Sequence, residues 1–371
     1  MKDLKRITIK IGSNVLTRDD GTLDITRMSA IVDQTAELYR RGVEMIIVSS
    51  GAITSGRDAM RRFQAHHADA RRNSPTDPVS TRQLYSAIGQ AKLISYYYDL
   101  YNERGIACGQ VLTMKENFST RRHYLNQKHC MEVMLAAGVI PIVNENDTAS
   151  VTELMFTDND ELSGLIASMM NAQALIILSN VDGVYDGDPA LPGSRVITDI
   201  PAGTSIDASS FIQKRRSSFG RGGMGTKYRI AQKVADEGIT VVIANGKREN
   251  ILAEVTSGKR RIPFTMFAPA KRPLPSMKKW IAHSEGFAKG TVHVNEGAYK
   301  ALTGPKASSL LPVGVTSVEG EWEKDDIVRI VSPSGEAFAV GRIGYDSEQA
   351  AALAGKQGSR PLIHYDYLYI E

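Results

Sequence analysis

Gly220-Arg221-Gly222-Gly223-Met224-Gly225-Thr226-Lys227 puts four glycines within six residues, a density that packs no core. Glycine there lets the backbone take φ > 0 and come close to something else. The residues that follow, Lys227 to Gly238, carry Ile230, Ala231, Val234 and Ala235 at helical spacing. Ile239-Thr240-Val241-Val242-Ile243-Ala244 then reads as a strand buried on both faces. A glycine loop therefore opens a helix, and the free N–H groups of that helix start are a seat for a phosphate. Gly220, Gly222 and Gly225 satisfy G-x-G-x-x-G, but a Rossmann fingerprint needs a strand just before it and an acidic residue about 20 positions on. Gln213-Lys214-Arg215-Arg216-Ser217-Ser218 is no such strand, and Gly225-Thr226-Lys227 reverses the order of a Walker loop. Lys227 opposes the helix dipole unless an anion sits between them. A glycine-rich surface loop is the plainer alternative.

Outward from this loop the chain alternates strands and helices. Residues 6–11, Arg-Ile-Thr-Ile-Lys-Ile, form a strand running into Gly12-Ser13-Asn14. Lys10 is either a strand-edge lysine in solvent or one projecting into the crevice where α/β folds bind ligands. A helix over 25–41 leads to a strand over 44–48 that ends in Ser49-Ser50-Gly51-Ala52. Strand, helix and strand in that order predict a parallel sheet. Residues 57–78 read as a basic, partly helical, exposed excursion. A long helix follows over 79–103, and its Tyr96-Tyr97-Tyr98 run is read as packing. A strand over 106–112, a helix over 121–137 and a strand over 139–143 come next. That last strand empties into Asn144-Glu145-Asn146-Asp147-Thr148, and then comes Phe156-Thr157-Asp158-Asn159-Asp160-Glu161, where Asp158 or Asn159 can cap the next helix. Capping alone does not account for two such polar bursts. The strand over 174–178 empties into Ser179-Asn180-Val181-Asp182. Strand ends thus bring Lys10, Ser50, Asn144 to Asp147 and Ser179 to one side of one doubly wound, mostly parallel sheet, where such folds keep their ligands.

With 371 residues there is room for two domains. Net charge is +4, from 45 basic and 41 acidic residues, too small to argue for nucleic acid by itself. The two cysteines, Cys108 and Cys130, make no disulfide framework and fit a reducing, cytoplasmic setting. No signal region opens the sequence, and no apolar run approaches the ~18 residues of a membrane span. Residues 263–277 are a proline-rich linker. It separates an α/β domain, 1–262, from a small β-rich domain, 278–371, whose short alternating runs at 290–294, 315–318, 326–331 and 338–340 are punctuated by glycine.

Two lysines, a carboxylate between them, glycine N–H cradles and no evident nucleophile suit phosphoryl transfer, which needs positioning and charge neutralisation more than covalent help. A carboxylate acceptor such as a glutamate side chain, pKa about 4.3, is already ionised at neutral pH and needs no general base. Nothing here has the spacing of a zinc site.

The blocks Lys10-Ile11-Gly12-Ser13-Asn14-Val15-Leu16, Val48-Ser49-Ser50-Gly51-Ala52-Ile53, Pro141-Ile142-Val143-Asn144-Glu145-Asn146-Asp147, Asp158-Asn159-Asp160 and Gly222-Gly223-Met224-Gly225-Thr226-Lys227 resemble the glutamate 5-kinases of the amino acid kinase family. Val294-Asn295-Glu296-Gly297-Ala298 and Ser308-Ser309-Leu310-Leu311-Pro312 resemble that group's C-terminal PUA domain. The resemblance implies ATP-dependent phosphorylation of L-glutamate to L-glutamyl 5-phosphate, the first step of proline biosynthesis. It further implies that Lys10 and Lys227 stabilise the transferring group and that Asp160 orients both. Ser50, Asp147 and Asn159 would bind glutamate. Lys10, Ser179, Asn180 and the loop Arg221, Gly222, Gly223, Met224, Gly225, Thr226 and Lys227 would hold ATP. Mg²⁺ would travel on the nucleotide, with no dedicated metal cage. The same resemblance implies feedback inhibition by L-proline, a homo-oligomer (dimer or tetramer), and glutamyl phosphate reductase as pathway partner. The sequence departs from the pattern at Ser179-Asn180, where Thr-Asp is usual, and at Arg221 and Gly225, where Thr and Ser are usual; its 57–78 stretch is also longer. Acetylglutamate, aspartate, carbamate or UMP kinases share the sheet motifs and remain alternatives, as does RNA binding through the PUA domain, although 278–371 shows no clear basic stripe interleaved with aromatics.

Overall fold

The computed structural model describes residues 4–67, 75, 77–149, 159–189, 191–204, 223–357 and 360–370. The chain forms two compact units: residues 1–115 with 126–273, and residues 116–125 with 274–371.

The first unit is built on an eight-stranded sheet: β1 (Arg6–Ile11), β2 (Glu44–Ser49), β3 (Cys108–Thr113), β4 (Ile140–Glu145), β5 (Ala174–Ser179), β6 (Asp199–Ile200), β7 (Thr240–Asn245) and β8 (Thr265–Phe267). Their order is β3-β4-β2-β1-β5-β7-β8-β6, and every pairing is parallel except β7 with β8. Within the proline-rich stretch, Thr265 and Phe267 are thus buried sheet residues. The Ile, Leu and Val runs of β1, β4 and β5 are buried along almost their full length, as strands covered on both faces must be. The chain lays β2 and β4 on one side of β1, then crosses to place β5 and β7 on the other. The crossover opens a crevice at the carboxyl ends of β1, β2, β4 and β5.

The helices of this unit are α1 (Ser13–Leu16), α2 (Ile25–Arg40), α3 (Ala52–His66), α4 (Pro78–Asn102), α5 (Arg121–Ala136, which begins in the second unit's segment), α6 (Asn159–Met169), α7 (Met224–Asp236) and α8 (Ile251–Ser257). Asp24 caps α2 by accepting from the Arg27 N–H at 3.0 Å. Asp77 caps α4 by accepting from the Ser80 N–H at 2.8 Å, with Pro78 in the first turn.

The basic excursion is partly helical, as expected: residues 57–66 are the second half of α3 and expose Arg61, Arg62 and His66, while 68–74 and 76 lie outside the described residues. The inner face of α3 buries Thr54, Ser55, Gly56 and Asp58 instead of large aliphatics. A Cβ on Gly56 would lie 1.8 Å from Tyr85 O, and one on Gly89 would lie 1.8 Å from Ala52 O. The backbones of α3 and α4 therefore touch, and a contact made by small residues leaves no hydrophobic stripe to read. The expected helix after the glycine loop begins one turn early, at Met224, with Gly223 extended at φ −95° and not left-handed. Gly225 lies inside the first helical turn, and Gly220 and Gly222 lie outside the described residues; φ > 0 is found at Gly51 (+111°), where β2 turns into α3, and at Gly238 (+90°), where α7 ends. In the tyrosine run Tyr97 is fully buried and bonds Ser49 Oγ at 2.8 Å, while Tyr98 is exposed.

The second unit has a five-stranded sheet ordered β10-β9-β11-β12-β13: β9 (Gly290–Val294), β10 (Val315–Gly320), β11 (Ile327–Val331), β12 (Ala337–Arg342) and β13 (Leu368–Ile370). Val292, Leu310, Trp322, Ile330 and Leu362 are among its core residues. Trp280, on α9 (Ser276–Ala282), is buried and donates Nε1–H to Phe118 O at 3.0 Å; its ring packs near Tyr124. These contacts draw 116–125 into this unit.

Candidate active site

Lys10 is the one charged residue among the buried positions of β1. It lies between Val48 of β2 and Ile177 of β5, and only 4% of its surface is exposed. A lysine so placed needs an anion, because an unpaired buried charge is costly. Asp160, fully buried in the first turn of α6, supplies it: Lys10 Nζ is 2.5 Å from Asp160 Oδ1. Lys227, in the first turn of α7, approaches the other oxygen, with Nζ 2.9 Å from Oδ2. Burial pushes the Asp160 carboxyl up; Lys10 and then Lys227 pull it down by more, to about 2. The cluster carries one net positive charge at the mouth of the crevice.

On one side of this cluster lies a polar chain. Asn159 Nδ2 donates to Ser49 O and Ser50 Oγ, each at 3.1 Å, and to Asn144 Oδ1 at 3.0 Å. Asn144 Nδ2 donates to Gln90 Oε1 at 3.3 Å, and Gln90 Nε2 donates to Glu145 O at 3.0 Å. Arg82 Nη2 lies 3.1 Å from Glu145 Oε2 and also bonds Asp147 Oδ1. Glu145 and Asp147 are both buried. The ends of β2 and β4, the start of α6 and the inner face of α4 are thereby tied into one hydrogen-bonded wall.

On the other side lies the start of α7. Gly223 offers no side chain to cap it, and Lys227 stands in its first turn. Ser179, buried at the end of β5, contacts Asn180 Oδ1 at 3.5 Å, and Asn180 itself is exposed. Beyond them Asp182 accepts from Arg248 Nε at 2.6 Å and Nη2 at 2.7 Å, and from Asn245 Nδ2 at 3.1 Å. The Arg248 bonds come first in holding the Asp182 carboxyl below its ordinary range.

Among the sequence-picked residues, the structure brings Lys10, Asp160 and Lys227 into one cluster, and Ser50 and Asn159 into direct contact. Asp147 is nearby but engaged by Arg82. Gly220, Arg221, Gly222 and Asp158 lie outside the described residues. Arg82, Gln90 and the Asp182–Arg248 pair escaped the sequence reading, since a lone arginine or glutamine inside a long helix carries no local signal. Among the described residues no three His, Cys, Asp or Glu side chains come together in a way that could hold a metal ion. No helix among them is long and apolar enough to cross a membrane.

Residues 5–245 match the amino acid kinase family and residues 290–364 the PUA domain. Glutamate 5-kinase of Bacteroides thetaiotaomicron is 61% identical over 370 residues, covering 100% of this chain and 99% of that protein. Glutamate 5-kinase of Chlorobaculum tepidum is 45% identical over 367 residues, covering 99% and 97%. Among solved structures, carbamate kinase from Giardia lamblia bound to AMP-PNP superposes with a TM-score of 0.51 over 73% of this chain and 100% of that one. At 15% identity it speaks for the fold alone.

Proposed function

This chain belongs to the amino acid kinase family, and on that premise we propose that it transfers the γ-phosphoryl group of ATP to the γ-carboxylate of L-glutamate. The products are L-glutamyl 5-phosphate and ADP, the opening step of proline synthesis. The observation that carries this reading is the Asp160 carboxylate shared by Lys10 and Lys227, at the junction between a polar wall and a helix N-terminus. The near full-length likeness to proteins named glutamate 5-kinase selects glutamate over the other acceptors used in the family.

In this reading Ser50, Asn159 and Asp147 hold the acceptor along the wall. Ser179, Asn180 and the 221–227 segment hold the nucleotide. The γ-carboxylate, ionised at neutral pH, attacks the γ-phosphorus directly, and the bond to the β-phosphate oxygen breaks as ADP leaves. No proton has to be removed. Lys10 and Lys227 stand where two anions must meet and offset the charge of the transferring group. Asp160 fixes both ammonium groups, so little reorganisation accompanies the reaction.

A divalent cation is expected with ATP, and Mg²⁺ is the ion proposed. The carboxylates near the site among the described residues are already engaged by Lys10, Lys227 and Arg82, so the described residues offer no cage, and the ion would be held by the nucleotide phosphates. It would supply further charge neutralisation. Feedback inhibition by L-proline, assembly as a dimer or tetramer, a cytoplasmic setting and hand-over of the labile acyl phosphate to a reductase belong to the same proposal.

The test is ATP-dependent hydroxamate formation from L-glutamate and hydroxylamine with Mg²⁺, with acetylglutamate and aspartate in parallel and proline added. Hydroxamate from L-glutamate alone supports the reading. ADP release with another acceptor and none with glutamate would overturn the substrate and keep the fold.

A further inference from the structure

We infer that Arg82 is a specificity-determining residue of this site: its guanidinium receives the α-carboxylate of the amino-acid substrate, beside Asp147, which receives the α-ammonium. The inference rests on the glutamate reading above and deepens it.

Arg82 lies on α4, with 14% of its side chain exposed. Both of its ion pairs, to Glu145 and to Asp147, are made by Nη2. Its Nε is buried and has no hydrogen-bond partner among the described residues. A guanidinium has five donors in a planar fork that matches a carboxylate, and this one is anchored at one corner with donors to spare. A buried, unsatisfied N–H is costly, so the arrangement is complete only when another acceptor arrives.

Its place in the wall says which acceptor. The hydrogen-bonded chain from Ser50 through Asn159, Asn144 and Gln90 ends at Glu145, Arg82 and Asp147. The Lys10–Asp160–Lys227 cluster is net positive and suits the γ-carboxylate and phosphoryl group. The Arg82–Glu145–Asp147 cluster has one positive and two negative groups, all in ion-pair contact. It is complementary to a head that carries an ammonium and a carboxylate on one carbon: the carboxylates face the ammonium, the fork faces the carboxylate. An N-acylated acceptor would leave Glu145 and Asp147 facing a neutral amide, and a decarboxylated one would leave the fork unfilled. Asp147 alone would recognise any amine.

The test uses L-glutamate and two analogues that each lack half of that head. Glutarate lacks the ammonium, and 4-aminobutyrate lacks the α-carboxylate. KM for L-glutamate and the competitive Ki of each analogue are measured in the hydroxamate reaction on the full chain. In Arg82→Gln, KM for L-glutamate and Ki for glutarate rise together by about 10- to 100-fold, the scale of a charge-assisted bond. Ki for 4-aminobutyrate stays the same or falls, and kcat changes little. Asp147→Asn gives the converse pattern, weakening L-glutamate and 4-aminobutyrate and sparing glutarate. Arg82→Lys keeps the charge without the fork, and it weakens glutarate less than Gln does but more than it weakens 4-aminobutyrate. This milder variant decides the matter if Arg82→Gln does not fold. A uniform shift of all three ligands, or none, overturns the assignment of Arg82 while wild-type turnover of L-glutamate stands. No wild-type turnover of L-glutamate overturns the assignment together with the function it rests on.

Discussion

Lys10 and Lys227 contact opposite oxygens of one carboxylate, at 2.5 Å and 2.9 Å from Asp160 Oδ1 and Oδ2. One lysine comes from the central strand and the other from the first turn of a helix two strands away in the sheet order. Among the described residues neither has an anion of its own. The shared carboxylate holds both ammonium groups at one point while leaving their sum positive, which a separate carboxylate for each would cancel.

Removing one lysine therefore affects the reaction more than the fold. Lys227→Ala is expected to lower kcat by about 10²- to 10³-fold, as when a single transition-state donor is removed. Asp160 keeps Lys10, so the melting temperature falls only modestly. Steady-state rates and thermal melts on the same samples check both parts.

Asp160 also sets an acid limit. Its folded value of about 2 is depressed below the unfolded 3.8. A depressed carboxylate contributes stability that is present above the unfolded value and lost as pH falls through the folded one. This contribution, on the order of 2 kcal/mol, is thus constant from neutral pH to about pH 5 and fades between about pH 4 and 2. Urea unfolding of the wild type and Asp160→Asn across that range should show their difference flat above pH 5 and shrinking below 4.

Gly89→Ala is expected to be damaging out of proportion to its size. The new Cβ would sit 1.8 Å from Ala52 O, against backbone that cannot swing aside. Overpacking of this kind destabilises by about 1–3 kcal/mol or more. Because Gln90 is the next residue and donates to Glu145 O, KM for L-glutamate should rise as well. A lowered melting temperature with unchanged KM would separate the helix contact from the site.

The Asp182–Arg248 pair ties the loop after β5 to the loop after β7. Asp182→Ala or Arg248→Ala should raise KM for ATP by about three- to tenfold, the scale of an ordinary net hydrogen bond at a half-exposed pair, and leave KM for L-glutamate alone. Together the two changes should have less effect than their sum, because they remove one shared interaction. Additive effects would assign the two residues separate roles.

Much of this molecule was legible in its sequence. The apolar runs at 6–11, 44–48, 139–143, 174–178 and 239–244 announced the central strands, since a strand buried on both faces must be apolar along its length. The small-residue turns after them, with Lys10, Ser50, Asn159, Ser179 and Lys227, announced an anion-handling crevice, because turn chemistry is local and depends on neighbours in the chain. A carboxylate between two lysines was part of the sequence reading, but its identity as Asp160 was expected only through the family resemblance, and nothing local pointed to Arg82 as the partner of Glu145 and Asp147. The helix contact at Gly56 and Gly89 left no stripe, and the capture of 116–125 by Trp280 left no motif. These are decisions of the tertiary structure. Side chains distant in the chain meet only once the strand order is set, and burying every strand of the sheet at once sets that order, not any one segment.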